Sequence, residues 1–178
     1  MVVMDATVLL YVFNDKASPP TDPQTGKPIE CCAERVNFLL KTLEASKTKV
    51  VIPTPALSEV LVHASAAGPA YLAQLERLRF IKIANFDKLA AVEAAEIQRG
   101  LIASSGSIKL TANSPRAKAK FDTQIVAIAK VEQATTIYSD DEGIQKLGKR
   151  LGMMVIGIAR LPLPPEDPQG SLPLNNDH

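Results

Sequence analysis

The sequence predicts an α/β fold, a three-layer α/β/α sandwich around a five-stranded parallel sheet, and two observations predict it. Short β-branched runs alternate with longer stretches of helical period along the 178 residues, the order expected of parallel strands joined by crossover helices. The strand candidates are also apolar at nearly every position instead of alternating, as expected where helices cover both faces of a sheet.

The strand candidates are Met1 to Met4, Lys49 to Ile52, Phe80 to Ile83, Thr135 to Tyr138 and Met153 to Gly157. A first helix begins at Ala6. The segment Asp15 to Glu30 holds four prolines and a glycine, so it reads as a mobile surface loop before the second helix. Apolar residues then recur on single helical faces: Val36, Leu39, Leu40 and Leu43; Leu57, Val60, Leu61 and Ala64; Ala90, Ala94, Ile97 and Leu101; Phe121, Ile125 and Ile128; Ile144, Leu147 and Leu151. Thr54-Pro55 and Ser114-Pro115 each offer a hydroxyl N-cap followed by proline at the first helical position, where its missing N–H does no harm. Ser104 to Ser114 reads as a second loop. From Leu161 to His178 there are five prolines and no periodicity. The expected organisation is therefore one domain over residues 1–160 and a flexible proline-rich tail over 161–178.

A hydrophobic content of 46% in a chain of this length supports one well-buried core. The net charge of +1 excludes an overall basic field, so contact with nucleic acid needs a local patch. The two cysteines, Cys31 and Cys32, are adjacent, poorly placed to bridge each other, and match no metal-ligand spacing. They read as helix-packing residues in a reduced compartment. The opening Met1-Val2-Val3-Met4-Asp5 lacks the basic segment of a signal peptide, and no apolar run approaches the ~20 residues of a membrane span. A soluble cytoplasmic protein without membrane contact is expected.

In open parallel sheets, sites form beyond the carboxyl ends of the strands, and the polar residues found there are acids. Asp5 follows the first strand, Glu59 lies early in the helix after the second, Asp122 near the start of the Phe121 helix, and Asp140 and Asp141 after the fourth strand. Carboxylates gathered at one rim repel each other, and a hard divalent cation with oxygen ligands, Mg²⁺ or Mn²⁺, relieves the repulsion. Each acid also has a structural reading. Asp5 fits an N-cap for the helix at Ala6 as well as it fits a site. Ser139-Asp140-Asp141-Glu142 matches a capping box, so at least one of its acids is expected to be structural. Glu59, between Leu57 and Val60 on an apolar helix, would be costly without a partner. Asp122 faces the same argument, unless it pairs with a lysine such as Lys118.

Taken together, Val3-Met4-Asp5-Ala6-Thr7-Val8-Leu9-Leu10, Ile52-Pro53-Thr54-Pro55-Ala56-Leu57-Ser58-Glu59-Val60, Phe121-Asp122-Thr123-Gln124-Ile125-Val126-Ala127 and Ile137-Tyr138-Ser139-Asp140-Asp141 resemble the four acidic motifs of PIN domains, in order. The resemblance spans Met1 to about Ala159. It implies a five-stranded parallel sheet, Mg²⁺- or Mn²⁺-dependent hydrolysis of RNA phosphodiester bonds to a 3′-hydroxyl and a 5′-phosphate, and homodimers. One version of such a protein is a VapC-like toxin paired with an antitoxin. Asp5, Glu59 and Asp122 carry over as metal-site acids. Asp141 or Asp140 fills the fourth position, with Asp141 favoured. Thr7 and Ser139 match hydroxyl positions that order the acids. The loop from Asp15 to Glu30 and the tail after Arg160 exceed what a minimal toxin of this family needs.

Arg116, Lys118 and Lys120, just before Asp122, are candidates for holding an RNA backbone; a solvated basic face explains them equally well. At 4% aromatic content no base-stacking surface stands out. His63 reads as a packed or partly exposed side chain outside the site. Two other readings compete. A haloacid-dehalogenase-like phosphatase needs a second aspartate two residues after its nucleophile, and that position is Thr7. A catalytically silent RNA- or protein-binding module of the same fold has no need to keep four mutually repelling acids.

Overall fold

The computed structural model describes residues 1–105 and 116–165, with nothing to say of the side chains at 104, 105, 116 and 117. All five expected strands form, each bound lying within one residue of its sequence-based position: β1 (Val2–Met4), β2 (Val50–Pro53), β3 (Ile81–Ala84), β4 (Thr136–Tyr138) and β5 (Met154–Ile156). Every pairing is parallel, in the order β3-β2-β1-β4-β5. Every residue of β1 and β2 is buried, whereas the edge strands β3 and β5 are partly open. That gradient is the reason for the apolar sequence of the central strands: helices cover them on both sides, and each fully buried valine or isoleucine contributes roughly 1.5–3 kcal/mol.

The helices are α1 (Ala6–Phe13), α2 (Cys32–Ala45), α3 (Thr54–Ala64), α4 (Gly68–Arg77), α5 (Lys88–Ser105), α6 (Arg116–Val131) and α7 (Glu142–Arg150). Among the described residues, none is long and apolar enough to cross a membrane. The register sets Val3 beside Val51 and Ile137, all fully buried, at the centre of the core.

The structure departs from the sequence reading at several places. No element was expected between Ala64 and Phe80, but α4 forms there, with its proline in the first turn, where no N–H is needed. Its Tyr71 ring stacks on Phe13 of α1, with centroids 4.2 Å apart. Thr54 does not cap α3: Pro53 holds the cap position, and the Thr54 hydroxyl accepts instead from the Phe86 N–H at 3.2 Å, tying α3 to the segment after β3. The loop from Asp15 to Glu30 has internal order, with a Thr21–Pro28 bridge and a tight turn in which Gly26 takes φ +67°. The Tyr11 hydroxyl donates to the Ser18 carbonyl across its base. Only Cys32 packs, its thiol against the Ile29 carbonyl; Cys31 is exposed, and both are free.

Ser104 and Ser105 prolong α5; the rest of the expected loop to Ser114, and the Ser114-Pro115 helix start, lie outside the described residues. At the beginning of the expected tail Leu161 is buried, and the Arg35 guanidinium donates to its carbonyl; residues 166–178 lie outside the description.

Candidate active site

The chain leaves β1 toward β2 and β3, while β4 and β5 lie on the other side of β1. Loops beyond β1 and β4 therefore diverge, and a crevice opens at their carboxyl ends. Asp5 follows β1 directly. It holds the N-cap position of α1 but makes no side-chain capping bond. The carboxylate turns inward and is 2% exposed. Its Oδ2 accepts from Ser139 Oγ at 2.8 Å and from Thr7 Oγ1 at 3.2 Å, while its Oδ1 is buried without a hydrogen-bond partner. Burial pushes Asp5 up to about 6, the Ser139 hydrogen bond opposes the rise, and the charges of Glu59 and Asp141 add to it.

The two hydroxyls also order the fourth motif. Thr7 Oγ1 accepts from the Asp140 N–H at 3.1 Å, and Ser139 Oγ accepts from the Asp141 N–H at 3.0 Å. Asp141, not Ser139, is the N-cap of α7: its Oδ1 accepts from the Gly143 and Ile144 N–H groups at 2.7 and 3.1 Å. Its second oxygen receives the Lys118 ammonium at 2.7 Å. Lys118 thus pairs with Asp141, with the charge of Asp122 nearby.

Asp122 projects from α6 and is 8% exposed. Burial first, and then the Asp141 charge, push it up to about 7 against the opposing pull of Lys118. A Cβ at Gly143 would fall well inside contact distance of Asp122 Oδ2, so the first turn of α7 must be bare at this point for the Asp122 carboxylate to fit. Glu59 is exposed, so the cost of burial expected for it does not arise; what distinguishes it is position, on the wall of the same cleft.

Asp5, Thr7, Glu59, Asp122 and Asp141 line one cleft of about 440 Å³. Lys118 is the one lysine or arginine among the described residues that line it, and His63, set aside on the sequence, also reaches its wall. Asp140 is elsewhere. Its Oδ1 accepts from the Ile158 N–H at 3.0 Å, its Oδ2 is buried without a hydrogen-bond partner, and the side chain faces a second pocket with Asp22, Gln145 and Lys149. Lys120 is exposed and does not line the cleft; the Arg116 side chain lies outside the described residues. Sequence reasoning passed over Gly143, although a glycine in the first turn of a helix, where its propensity is poor, was a usable signal.

The site fits a divalent cation on the chemistry of its donors: carboxylate oxygens, one of them orphaned and buried, around a pocket in which ionising two acids is costly. As they stand, no three His, Cys, Asp or Glu side chains among the described residues are gathered closely enough to hold one ion together. Mg²⁺ commonly takes only one or two carboxylates directly and keeps several waters, so the arrangement remains compatible with it.

The profile of the PIN domain family matches residues 33–150. The chain belongs to the PIN domain family. The matched span includes Glu59, Asp122 and Asp141, while Asp5 precedes it. No curated protein matches the sequence. Among solved structures this PIN domain resembles VapBC2 from Rickettsia felis, bound to a DNA fragment from their promoter (TM-score 0.57, 16% identity, covering 88% of this chain and 98% of that one). It resembles DNA-bound VapBC from Salmonella typhimurium (0.53, 16%, 88% and 97%). It also resembles Mycobacterium tuberculosis VapC20, a Sarcin-Ricin loop cleaving toxin (0.50, 14%, 83% and 95%). At these identities the likeness is one of fold.

Proposed function

We propose that this PIN domain is a ribonuclease that hydrolyses RNA phosphodiester bonds with Mg²⁺ or Mn²⁺, using Asp5, Glu59, Asp122 and Asp141. The observation that carries the reading is Asp5: a buried carboxylate, held by two hydroxyls, with its free oxygen unpartnered in a cleft shared with three more acids from other segments. A buried carboxylate is relieved either by taking up a proton or by a cation, and the three acids that share the cleft with Asp5 favour the cation here. Asp5, Glu59, Asp122 and Asp141 would hold the ion. Once bound, a divalent ion supplies Lewis-acid stabilisation of the charge on the phosphoryl group.

The chain's own residues do the rest. Thr7 and Ser139 fix the Asp5 carboxylate, and Asp141 is fixed by the N–H groups of α7, so neither reorganises during the reaction. Glu59, exposed at the wall of the cleft, takes the proton of the attacking water. Lys118 meets the negative charge of the RNA backbone, and the products are a 3′-hydroxyl and a 5′-phosphate. The assembly that goes with this reading is a cytoplasmic toxin, homodimeric and held by an antitoxin protein; the likeness in fold to VapC proteins, two of them solved as VapBC complexes, supports the antitoxin partner. A phosphatase of the dehalogenase type is disfavoured because Thr7, not an acid, stands two residues after Asp5 and donates to it.

The test is cleavage of a panel of structured and single-stranded RNAs with Mn²⁺, Mg²⁺ or EDTA by the parent, Asp5→Asn and Asp122→Asn. Metal-dependent cleavage that is lost in both folded variants is the expected result. Cleavage that survives both, or none under any condition, would leave only the family and fold standing.

A further inference from the structure

The acid cleft has walls of two kinds. Carboxylates line it, but Phe121 on α6 and Val62 on α3 also line it, and they are 47% and 78% exposed. Each stands close in sequence to a site acid: Phe121 immediately precedes Asp122, and Val62 follows Glu59 by three residues, one turn along the same helix face. Buried Ile125 and Ile144 continue the apolar surface into the cleft. A phosphate or a ribose gains little from such a wall. A nucleobase has an apolar π-face that does, and it is joined to the phosphate that the acids would address. Other exposed apolar side chains, such as Leu89 and Val92 on α5, do not line the cleft. The pair is therefore a local feature of the site.

We propose that Phe121 is a stacking platform for one unpaired base of the RNA beside the scissile phosphate, with Val62 flanking the same base. The proposal rests on the nuclease reading and deepens it by naming the residues that hold a base beside the scissile phosphate. In a duplex both faces of a base are covered by its neighbours, so only a splayed base can reach an aromatic ring. Phenylalanine and valine side chains have no hydrogen-bonding groups, so the platform selects strand state and leaves base identity unread.

The test compares the parent with Phe121→Ala, Phe121→Leu and Phe121→Tyr; the exposure of Phe121 makes all three compatible with folding, and thermal melts check it. Cleavage with Mn²⁺ is measured on an oligoribonucleotide presented single-stranded and as a duplex. In parallel, a 2-aminopurine version is titrated with protein in Ca²⁺ to read stacking by fluorescence quenching. The expected result is cleavage of the single strand in preference to the duplex, KM raised about 10-fold in the Ala and Leu variants and restored in Tyr, and quenching seen only with parent and Tyr. If RNA is bound and cleaved but Leu equals the parent, or the parent gives no quenching, the platform is wrong and the nuclease reading stands. Absence of both binding and cleavage in every protein would remove the nuclease reading and the platform with it.

Discussion

Asp140 and Asp141 adjoin in the chain, yet they serve opposite sides of the end of β4. Asp141 caps α7, receives Lys118 and faces the acid cleft; Asp140 holds the Ile158 N–H and faces the pocket beneath the Asp15 to Glu30 loop. Successive residues of an extended segment point to opposite sides, so two identical side chains entered environments with different tasks. Each has its own glycine. A Cβ at Gly143 would strike Asp122 in the cleft, and one at Gly157 would strike Asp140 in the other pocket. Which pocket a carboxylate at the end of a strand faces is thus not set by its motif; its direction decides.

The sharpest break of this comparison is exchange of the charge at each position. Asp141→Asn should lower RNA cleavage on the order of 10²-fold or more, as loss of a preorganised charged group does, whereas Asp140→Asn should cleave RNA at close to the parent rate. Single-turnover kinetics decide it, and equal losses would erase the distinction between the two sides.

Next in size is a pH effect in the metal-free protein. Asp5 and Asp122 bind their protons more tightly in the folded chain, at about 6 and about 7, than in the unfolded one, near 3.8. Their contribution to stability is therefore complete below about pH 4 and is lost as pH rises through 6 and 7, on the order of 3 kcal/mol or more for each acid. Denaturant midpoints between pH 4.5 and 8 should fall accordingly. Mn²⁺ should restore stability at the alkaline end, where the acids are ionised. A midpoint that rises with pH without metal would contradict the burial of these two acids.

The glycine pair sharpens the contrast further. Gly143→Ala and Gly157→Ala should each cost about 1–3 kcal/mol by overpacking, but only Gly143→Ala should also reduce cleavage, because only there does the displaced carboxylate belong to the cleft. The smallest effect is expected for Lys118→Met. Lys118 is 55% exposed and its pair is worth at most about 1 kcal/mol of stability, so melts should barely move while the salt dependence of RNA binding weakens.

Short apolar β-branched runs located all five strands and helical periodicity located α2, α3, α5, α6 and α7, with α1 placed by its start at Ala6, because burial on one helix face or on both faces of a central strand leaves its mark on local residue choice. It missed α4, whose Gly68-Pro69 opening resembles a turn until the stacking of Tyr71 on Phe13 is known. It also singled out the acids, since Asp5, Glu59, Asp122 and Asp141 each follow a strand or enter a helix at a place where a carboxylate is conspicuous. What it assigned to a cap or to a site was another matter. Asp5 holds the cap position without a capping bond and turns its carboxylate to the cleft, Asp141 both caps α7 and lines the cleft, and the exposure of Glu59 removes the energetic argument that singled it out. Only the tertiary structure decided these roles, along with the exclusion of Asp140 from the cleft and the placing of Phe121 and Val62 at its wall. The reason is physical: helix and strand formation are read from neighbours within a few residues, whereas the direction of a strand-end side chain and the company it keeps depend on crossovers that bring together segments more than a hundred residues apart.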